Sequence, residues 1–383
     1  MISIKDKSQC CGCSACASIC NKNAITMKPD ILGFLYPVVD IDKCVNCGLC
    51  EKVCAFNNKY DISLNLPKPV AYGVRHKDID EVMRSRSGAV FVALSDKILE
   101  QGGVVYGAGY TDHFRVVHKR AVTKNMRDEF RGSKYVQSDM NTVFLQVKKD
   151  LSEGLVVLFS GTPCQTAGLS SFIGKRLRKN LFLVDILCHG VPSPFLWKDF
   201  LNHIEKINKS TITEVNFRNK KIFGWKAHRE TFCLKNGSKD IVCDYRFYQN
   251  TPYRKSCNIC PYTNTTRPSD ITLADFWGWE KNVPNMNKDN KGLSLIICNT
   301  DKGLKLFENI QGMVLTKQVV LDNCLQPQLQ EPSKQMVFRN RFERDYENKG
   351  FEYVMKRYSC SNIVYRIESF VFRILRKLNI YNS

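Results

Sequence analysis

A small cysteine-rich module followed by a larger mixed domain, α+β and then α/β, is the fold class this sequence predicts. Three observations predict it. Nine of the chain's 18 cysteines fall within the first 54 residues. A polar stretch punctuated by Pro67 and Pro69, SLNLPKP, follows and is expected to be a linker. Beyond it, short apolar runs alternate with segments of helical periodicity, the pattern of β-α-β units. At 383 residues the chain has room for such a module and one large core. The expected divisions are a module at 1–60, an α/β domain at 70–330 and a basic helical tail at 331–383.

Within the module, Cys10, Cys13, Cys16 and Cys20 are spaced C-x2-C-x2-C-x3-C, and Cys44, Cys47, Cys50 and Cys54 repeat the spacing. This is the signature of a bacterial-type dicluster ferredoxin module. Three thiolates on a tight loop grip three corners of one [4Fe-4S] cubane, while the fourth cysteine leads away and reaches the other. The expected ligands are Cys10, Cys13, Cys16 and Cys54 for cluster one, and Cys44, Cys47, Cys50 and Cys20 for cluster two. The small residues Gly12, Ser14, Ala15, Ala17 and Gly48 let the backbone approach the sulfides. Cys11 lies outside the pattern and is expected to have no ligand role. Zinc sites would draw on pairs of C-x2-C knuckles, not on four cysteines per run. Asn21 and Ala55 stand where a proline usually follows the fourth cysteine, which loosens the turn without removing a ligand.

In the body, Val90, Phe91, Leu94, Ile98 and Leu99 share one helical face, and Gly102-Gly103 ends that helix before a strand at 104–110. Leu155 to Phe159 reads as the next strand. Thr162-Pro163 is an N-cap and first-turn pair for a helix to about Phe172, and Leu181 to Cys188 is a further strand. A parallel crossover of this kind puts Cys164, in the first helical turn, and Cys188, at a strand's end, on the ligand-binding edge of the sheet. Cys257 and Cys260 add a C-x2-C. The four thiols could hold a third cluster. Spacing alone leaves two alternatives: Cys164 and Cys188 as small buried hydrophobes, and Cys257 and Cys260 joined to Cys233 and Cys243 around zinc.

The segment RPSDITLADFWGWE sets Asp270 and Asp275 around an apolar strand, with Phe276, Trp277, Gly278 and Trp279 behind it. Such aromatic residues suit a stacked flat ring or a core. His189, next to Cys188, reads either as a proton donor or as a structural histidine. No Ser-His-Asp arrangement, Walker loop or dinucleotide fingerprint is legible.

The net charge is +20, from 57 basic and 37 acidic residues. It favours acidic partners: an anionic cofactor, an acidic ferredoxin or a membrane surface. The basic residues are dispersed and carry no nucleic-acid motif, so no nucleic-acid partner is expected. No apolar run follows Met1 and none is long enough to span a bilayer, so a cytoplasmic protein is expected. There, cysteines point to metal ligation and not to a disulfide framework. In the tail, IVYRIESFVFRILRKLNIY mixes apolar and basic residues at helical spacing. It is expected to pack on the body, with contact to an anionic membrane surface as the alternative.

Taken together, the dicluster run, SRSGAVFVAL, GVVYGAGY, RGSKYVQSD, VLFSGTPCQTAGL, DILCHGVPSP, FRNKKIFGW, and CNICPY with RPSDITLADFWG resemble the coenzyme F-420 hydrogenase/dehydrogenase beta-subunit family, over about residues 5–280. The likeness is to its bacterial branch, often encoded among surface-polysaccharide genes, and the plant hydroxymethyl-chlorophyll reductases are related. The resemblance implies an iron–sulfur flavoprotein oxidoreductase. Electrons from ferredoxin or another donor protein would pass through [4Fe-4S] clusters to FAD and a small or sugar-linked substrate, in a polysaccharide pathway for this branch. It also implies a third [4Fe-4S] cluster on Cys164, Cys188, Cys257 and Cys260. It places Ser87 and Gly88 near the flavin, with Ala89 where the family has a second glycine, and suggests Lys134, Arg218, Lys220 and Arg267 for FAD phosphates or an acidic substrate. Two other readings go with it: a coenzyme F-420 oxidoreductase subunit, and a flavin-free electron carrier to which Ala89 points.

Overall fold

The doubled cysteine run folds into a doubled loop. In the first copy Gly12 (φ 71°) and Ser14 (φ 66°) are left-handed; in the second, Asn46 (φ 48°) and Gly48 (φ 74°) occupy the equivalent positions. Left-handed residues alternating with right-handed ones turn successive amides toward one point, a concavity suited to anionic sulfur. A short helix leaves each loop, α1 (Ala15–Ile19) and α2 (Leu49–Lys52). Between them β1 (Ile25–Pro29) and β2 (Leu35–Val39) form an antiparallel pair. The computed structural model describes residues 1–241, 251–359 and 362–377.

The body opens with β3 (Asn65–His76), α3 (Ile79–Arg84), α4 (Val90–Glu100), β4 (Val104–Thr111), β5 (Arg115–Ala121) and α5 (Lys124–Asp128). It continues with α6 (Val143–Ser152), β6 (Val157–Gly161), α7 (Pro163–Leu177), β7 (Leu181–Ile186) and α8 (Pro194–Asn208). Next come β8 (Ile212–Asn216), α9 (Lys220–Phe223), β9 (Thr231–Leu234), β10 (Lys239–Ile241), β11 (Ile271–Asp275), α10 (Trp279–Asn282), β12 (Ser294–Thr300), α11 (Asp301–Glu308) and β13 (Val314–Val319). The tail is α12 (Arg339–Arg357) and α13 (Ile363–Lys377).

One eight-stranded sheet, in the order β13-β3-β12-β11-β7-β6-β4-β5, forms the centre. β4, β6, β7 and β11 run parallel, and antiparallel strands flank them on both sides. The ends of β6, β7 and β11 therefore share one edge. α4 and α11 cover one face through Val90, Ala93, Leu94, Ile98, Leu306 and Phe307. α6 and α7 cover the other, and the module's Cys11, Cys13, Ala15 and Val53 join that same apolar cluster. A second contact seats the hairpin residues Leu32, Phe34 and Tyr36 in the cluster built by α8, the small β10-β9-β8 sheet and α12. The module is thus held on two sides.

One expectation is corrected here. The stretch SLNLPKP is not a linker throughout, because β3 begins at Asn65 and runs through both prolines. The pairing of β3 with β12 is irregular between Val70 and Asn65, so the missing proline amides fall where the ladder is already interrupted. The tail packs on the body as expected, and among the described side chains of α13 it does so by one face. Glu368 pairs with Arg341 (2.6 Å) and Arg357 (2.7 Å), and Tyr365 meets Tyr358. Ile363, Val364, Ile367, Phe370 and Val371, three or four residues apart, face outward and are exposed. The helix after Thr162 extends to Leu177 with a break at Gly174 (φ 70°).

Candidate functional site

Short-range backbone turns bring the module's thiols into two groups. Cys16 has Cys13, Cys10 and Cys54 as its sulfur neighbours, and their charges together with burial push its thiol well up. Cys20, Cys44, Cys47 and Cys50 line one cavity, together with Met1, Lys22, Val45 and Leu49. Each group thus takes three cysteines from one run and one from the other. Amides are aimed at the sulfurs: Ile2 N donates to Cys50 Sγ (3.2 Å) and Ala24 N to Cys20 Sγ (3.3 Å). Hydrogen bonds to sulfur of this kind are among the contacts by which a protein tunes an iron–sulfur cluster. Four soft sulfur ligands with amides aimed at them suit a [4Fe-4S] cubane.

A third group of thiols is assembled by tertiary structure alone. Cys164 opens α7 behind β6, Cys188 follows β7, and Cys257 and Cys260 lie on a short helical turn at Lys255–Ile259. Cys188 has Cys257 and Cys164 as neighbours, and Cys260 has Cys164 and Cys188. Burial pushes the Cys257 and Cys260 thiols up to about 12. Gly190 N donates to Cys188 Sγ (3.4 Å), and Arg254 and Arg267 supply positive charge nearby. This donor set also suits a cubane. The zinc alternative is not assembled among the described residues. Cys233 is on β9, against Glu214 Oε2 (3.7 Å), and Cys243 lies outside them. Among the described residues no three Cys, His, Asp or Glu side chains are arranged around a single metal ion.

Beyond the third group the sheet edge turns polar and aromatic. Asp275, at the end of β11, accepts from Arg218 Nη1 (2.5 Å) and from Trp225 Nε1 (3.2 Å). Trp225 stacks on Trp277 with centroids 4.5 Å apart, and the Arg218 guanidinium sits over the Trp277 ring. His189 is near Asp275 and Arg218, and burial holds its pKa below the usual histidine range. Phe276 is core, wholly buried. Asp270 is also structural: it binds Arg178 (2.9 Å), the Leu183 amide and Thr300.

The residues expected at a flavin are found elsewhere in role. Ser87 Oγ donates to Leu293 O (2.6 Å), and Gly88 N to Ser294 Oγ (2.9 Å). A Cβ at Gly88 would lie 2.4 Å from Val74 O, so glycine is required there by the sheet. Lys134 Nζ donates to the carbonyls of Glu129 (2.6 Å) and Arg131 (3.0 Å), and burial lowers its pKa to about 7. Arg267 spends its donors on Asp185 (3.0 Å), Thr272, Tyr262 O and Ile186 O. Lys220 is likewise bound to Ser87 O and Lys291 O. In this arrangement Ser87, Gly88, Lys134 and Arg267 are each hydrogen-bonded to protein groups.

Residues 9–58 match the family model described as 4Fe-4S dicluster domain, and residues 155–320 match the family model for the carboxyl-terminal region of the coenzyme F420 hydrogenase/dehydrogenase beta subunit. The chain thus joins a 4Fe-4S dicluster module to a region similar to the carboxyl-terminal part of that beta subunit. Among solved structures, 13 chains match. One comes from the F420-reducing [NiFe] hydrogenase complex of Methanosarcina barkeri, at 18% identity and TM-score 0.46, covering 64% of this chain and 81% of that one. No curated protein matches.

The residues that join the module to the body were not singled out by the sequence. Arg254, 1% exposed, donates to Cys10 O (2.7 Å), Leu35 O (2.8 Å) and Gln137 Oε1 (3.0 Å), and stands over the Tyr36 ring. Gln137 in turn donates to Cys11 O (2.9 Å). Gly168, in α7, lies so close to the module that a Cβ there would be 2.7 Å from Cys13 Sγ. A CC pair and a basic residue three before a C-x2-C were the only available signals.

Proposed function

We propose that this chain is an iron–sulfur oxidoreductase subunit that accepts single electrons from a protein carrier and leads them inward to the carboxyl edge of the large sheet. The order of the thiol groups supports it. The Cys20/Cys44/Cys47/Cys50 group opens to the surface, the Cys10/Cys13/Cys16/Cys54 group lies deeper, and the Cys164/Cys188/Cys257/Cys260 group follows at the sheet edge. [4Fe-4S] clusters, when bound there, supply one-electron transfer. The protein's own residues do the rest. Amides and Arg254 donate to sulfur, apolar packing around Cys11 and Cys13 excludes water, and His189 near Asp275 and Arg218 is placed to hold or give up a proton at the end of the path. Exposed Met1, Val45 and Leu49, with Lys22, surround the outermost cavity and suit an acidic carrier such as ferredoxin.

Iron and acid-labile sulfide after anaerobic purification test this. About twelve iron atoms per chain, four per cubane, are expected; about eight with one zinc removes the third cluster. The resemblance to the beta-subunit family adds FAD and a small or sugar-linked substrate to the proposal, and extraction yielding about one FAD per chain would support it. A second reading, a flavin-free electron-carrier subunit, is favoured by the committed donors of Ser87, Gly88, Lys134 and Arg267. It gains if extraction yields none. Coenzyme F420, named in the family's description, is the first substrate to assay.

A further inference from the structure

The helix α13 has two unlike faces. Tyr365, Glu368 and Ser369, three or four residues apart, turn to the body. The other face carries Ile363 (68% exposed), Val364, Ile367, Phe370 (66% exposed) and Val371, an apolar row that stays open. Charge on this helix is one-sided as well. Its four basic residues are Arg366, Arg373, Arg376 and Lys377, and its single acidic residue is Glu368. Arg341 (2.6 Å) and Arg357 (2.7 Å) neutralise Glu368 on the inner side. Arg366 is exposed beside the apolar row, and positions 373 and 377, seven and eleven residues on, follow it along the same flank of the helix.

We propose that α13 is an interfacial helix that seats the protein on an anionic lipid surface, its apolar row entering the acyl boundary and its basic flank meeting the headgroup phosphates. A second copy of the chain is a poorer occupant. It would set one basic rim against another, in a chain whose net charge is +20. Among the described residues no helix is long and apolar enough to cross a membrane, and α13 lies in the surface plane. Seating of this kind does not depend on the thiol groups.

The test is flotation of the full-length holoprotein with vesicles of phosphatidylcholine alone, or of phosphatidylcholine mixed equally with phosphatidylglycerol. Wild type is expected to bind the mixed vesicles, not the neutral ones, and to be released by salt. A chain this basic can adhere by charge alone, so the deciding variant is Ile367→Ser/Phe370→Ser, which alters no charge. It should bind at least about tenfold more weakly. Its iron content and thermal unfolding should match wild type, since both side chains are exposed. Ile363→Ser, at the helix start, is a milder second variant and should bind about threefold more weakly. Arg366→Gln should weaken binding about fivefold. Wild-type binding by the double variant would overturn the proposal, and so would a wild type that ignores the mixed vesicles. A wild-type dimer that the double variant converts to monomer would assign the face to a second copy instead.

Discussion

Gly168→Ala tests the docking of the module most directly. A Cβ at this position would lie 2.7 Å from Cys13 Sγ and 3.0 Å from Cys13 Cβ. Ordinary contacts of this kind sit near 3.5–4.0 Å, so either α7 or the cysteine loop must yield by about 1 Å. Overpacking of this sort costs about 1–3 kcal/mol. Ala is the better helix former by about 0.8–1.0 kcal/mol, which offsets part of it. A net destabilisation of about 0–2 kcal/mol follows from the two terms. The strain falls on a cluster ligand, so metal content should respond more than stability. Iron per chain and its loss to a chelator would be measured in anaerobic holoprotein, beside urea midpoints. Gly312→Ala is the control, because a Cβ there meets nothing within 4 Å; it should stay within about 0.5 kcal/mol of wild type. A Gly168→Ala protein with wild-type iron, wild-type chelator resistance and higher stability would refute the close approach of α7 to the module.

Other outcomes follow from the same contacts. Arg267→Gln leaves Asp185, which is fully buried, without its cation, and should cost about 3–5 kcal/mol in urea unfolding; unchanged stability would return Arg267 to a ligand-binding role. Gly88→Ala drives a methyl against Val74 O and Ser294 N and should cost about 3 kcal/mol or fail to fold. Ala89→Gly, by contrast, relieves a left-handed alanine (φ 62°) but loses a methyl packed with Val82 and Val92, so thermal unfolding should move by less than about 1 kcal/mol. His118 is buried between Ser138 Oγ and Ser160 O, and burial lowers its pKa to about 4. An unfolded-chain histidine binds its proton near pH 6.5, so the unfolded state holds more protons between pH 6.5 and 4. Stability should therefore fall by up to about 3 kcal/mol as pH drops through that window, and be flat above it. His118→Gln should remove this component; an identical pH dependence in wild type and variant would refute it.

Much of the site was legible because its determinants are local. The two cysteine runs place three thiols each within seven residues, and the left-handed positions Gly12, Ser14, Asn46 and Gly48 follow from the same repeat. The β6–α7–β7 unit was legible for the same reason. Apolar periodicity and the Thr162-Pro163 start put Cys164 and Cys188 on one edge, although the first strand sits two residues later than expected. The residues suggested for a flavin were not settled by their motifs. Lys134 and Arg267 are basic in sequence, but whether a guanidinium faces a ligand or a buried carboxylate depends on Asp185, 82 residues away.

By itself, the sequence determined the ligand-bearing loops and the alternation of strands and helices, because thiol spacing and apolar periodicity act over a few residues. Only the tertiary structure decided that SLNLPKP becomes a strand, since its partners β12 and β13 come more than 200 residues later. It alone decided that Cys11 is buried against Cys13 and Cys164, and that Arg254 grips the cysteine loop from the far side of the chain. Contacts of that range depend on how whole surfaces pack, and no local pattern of residues encodes them.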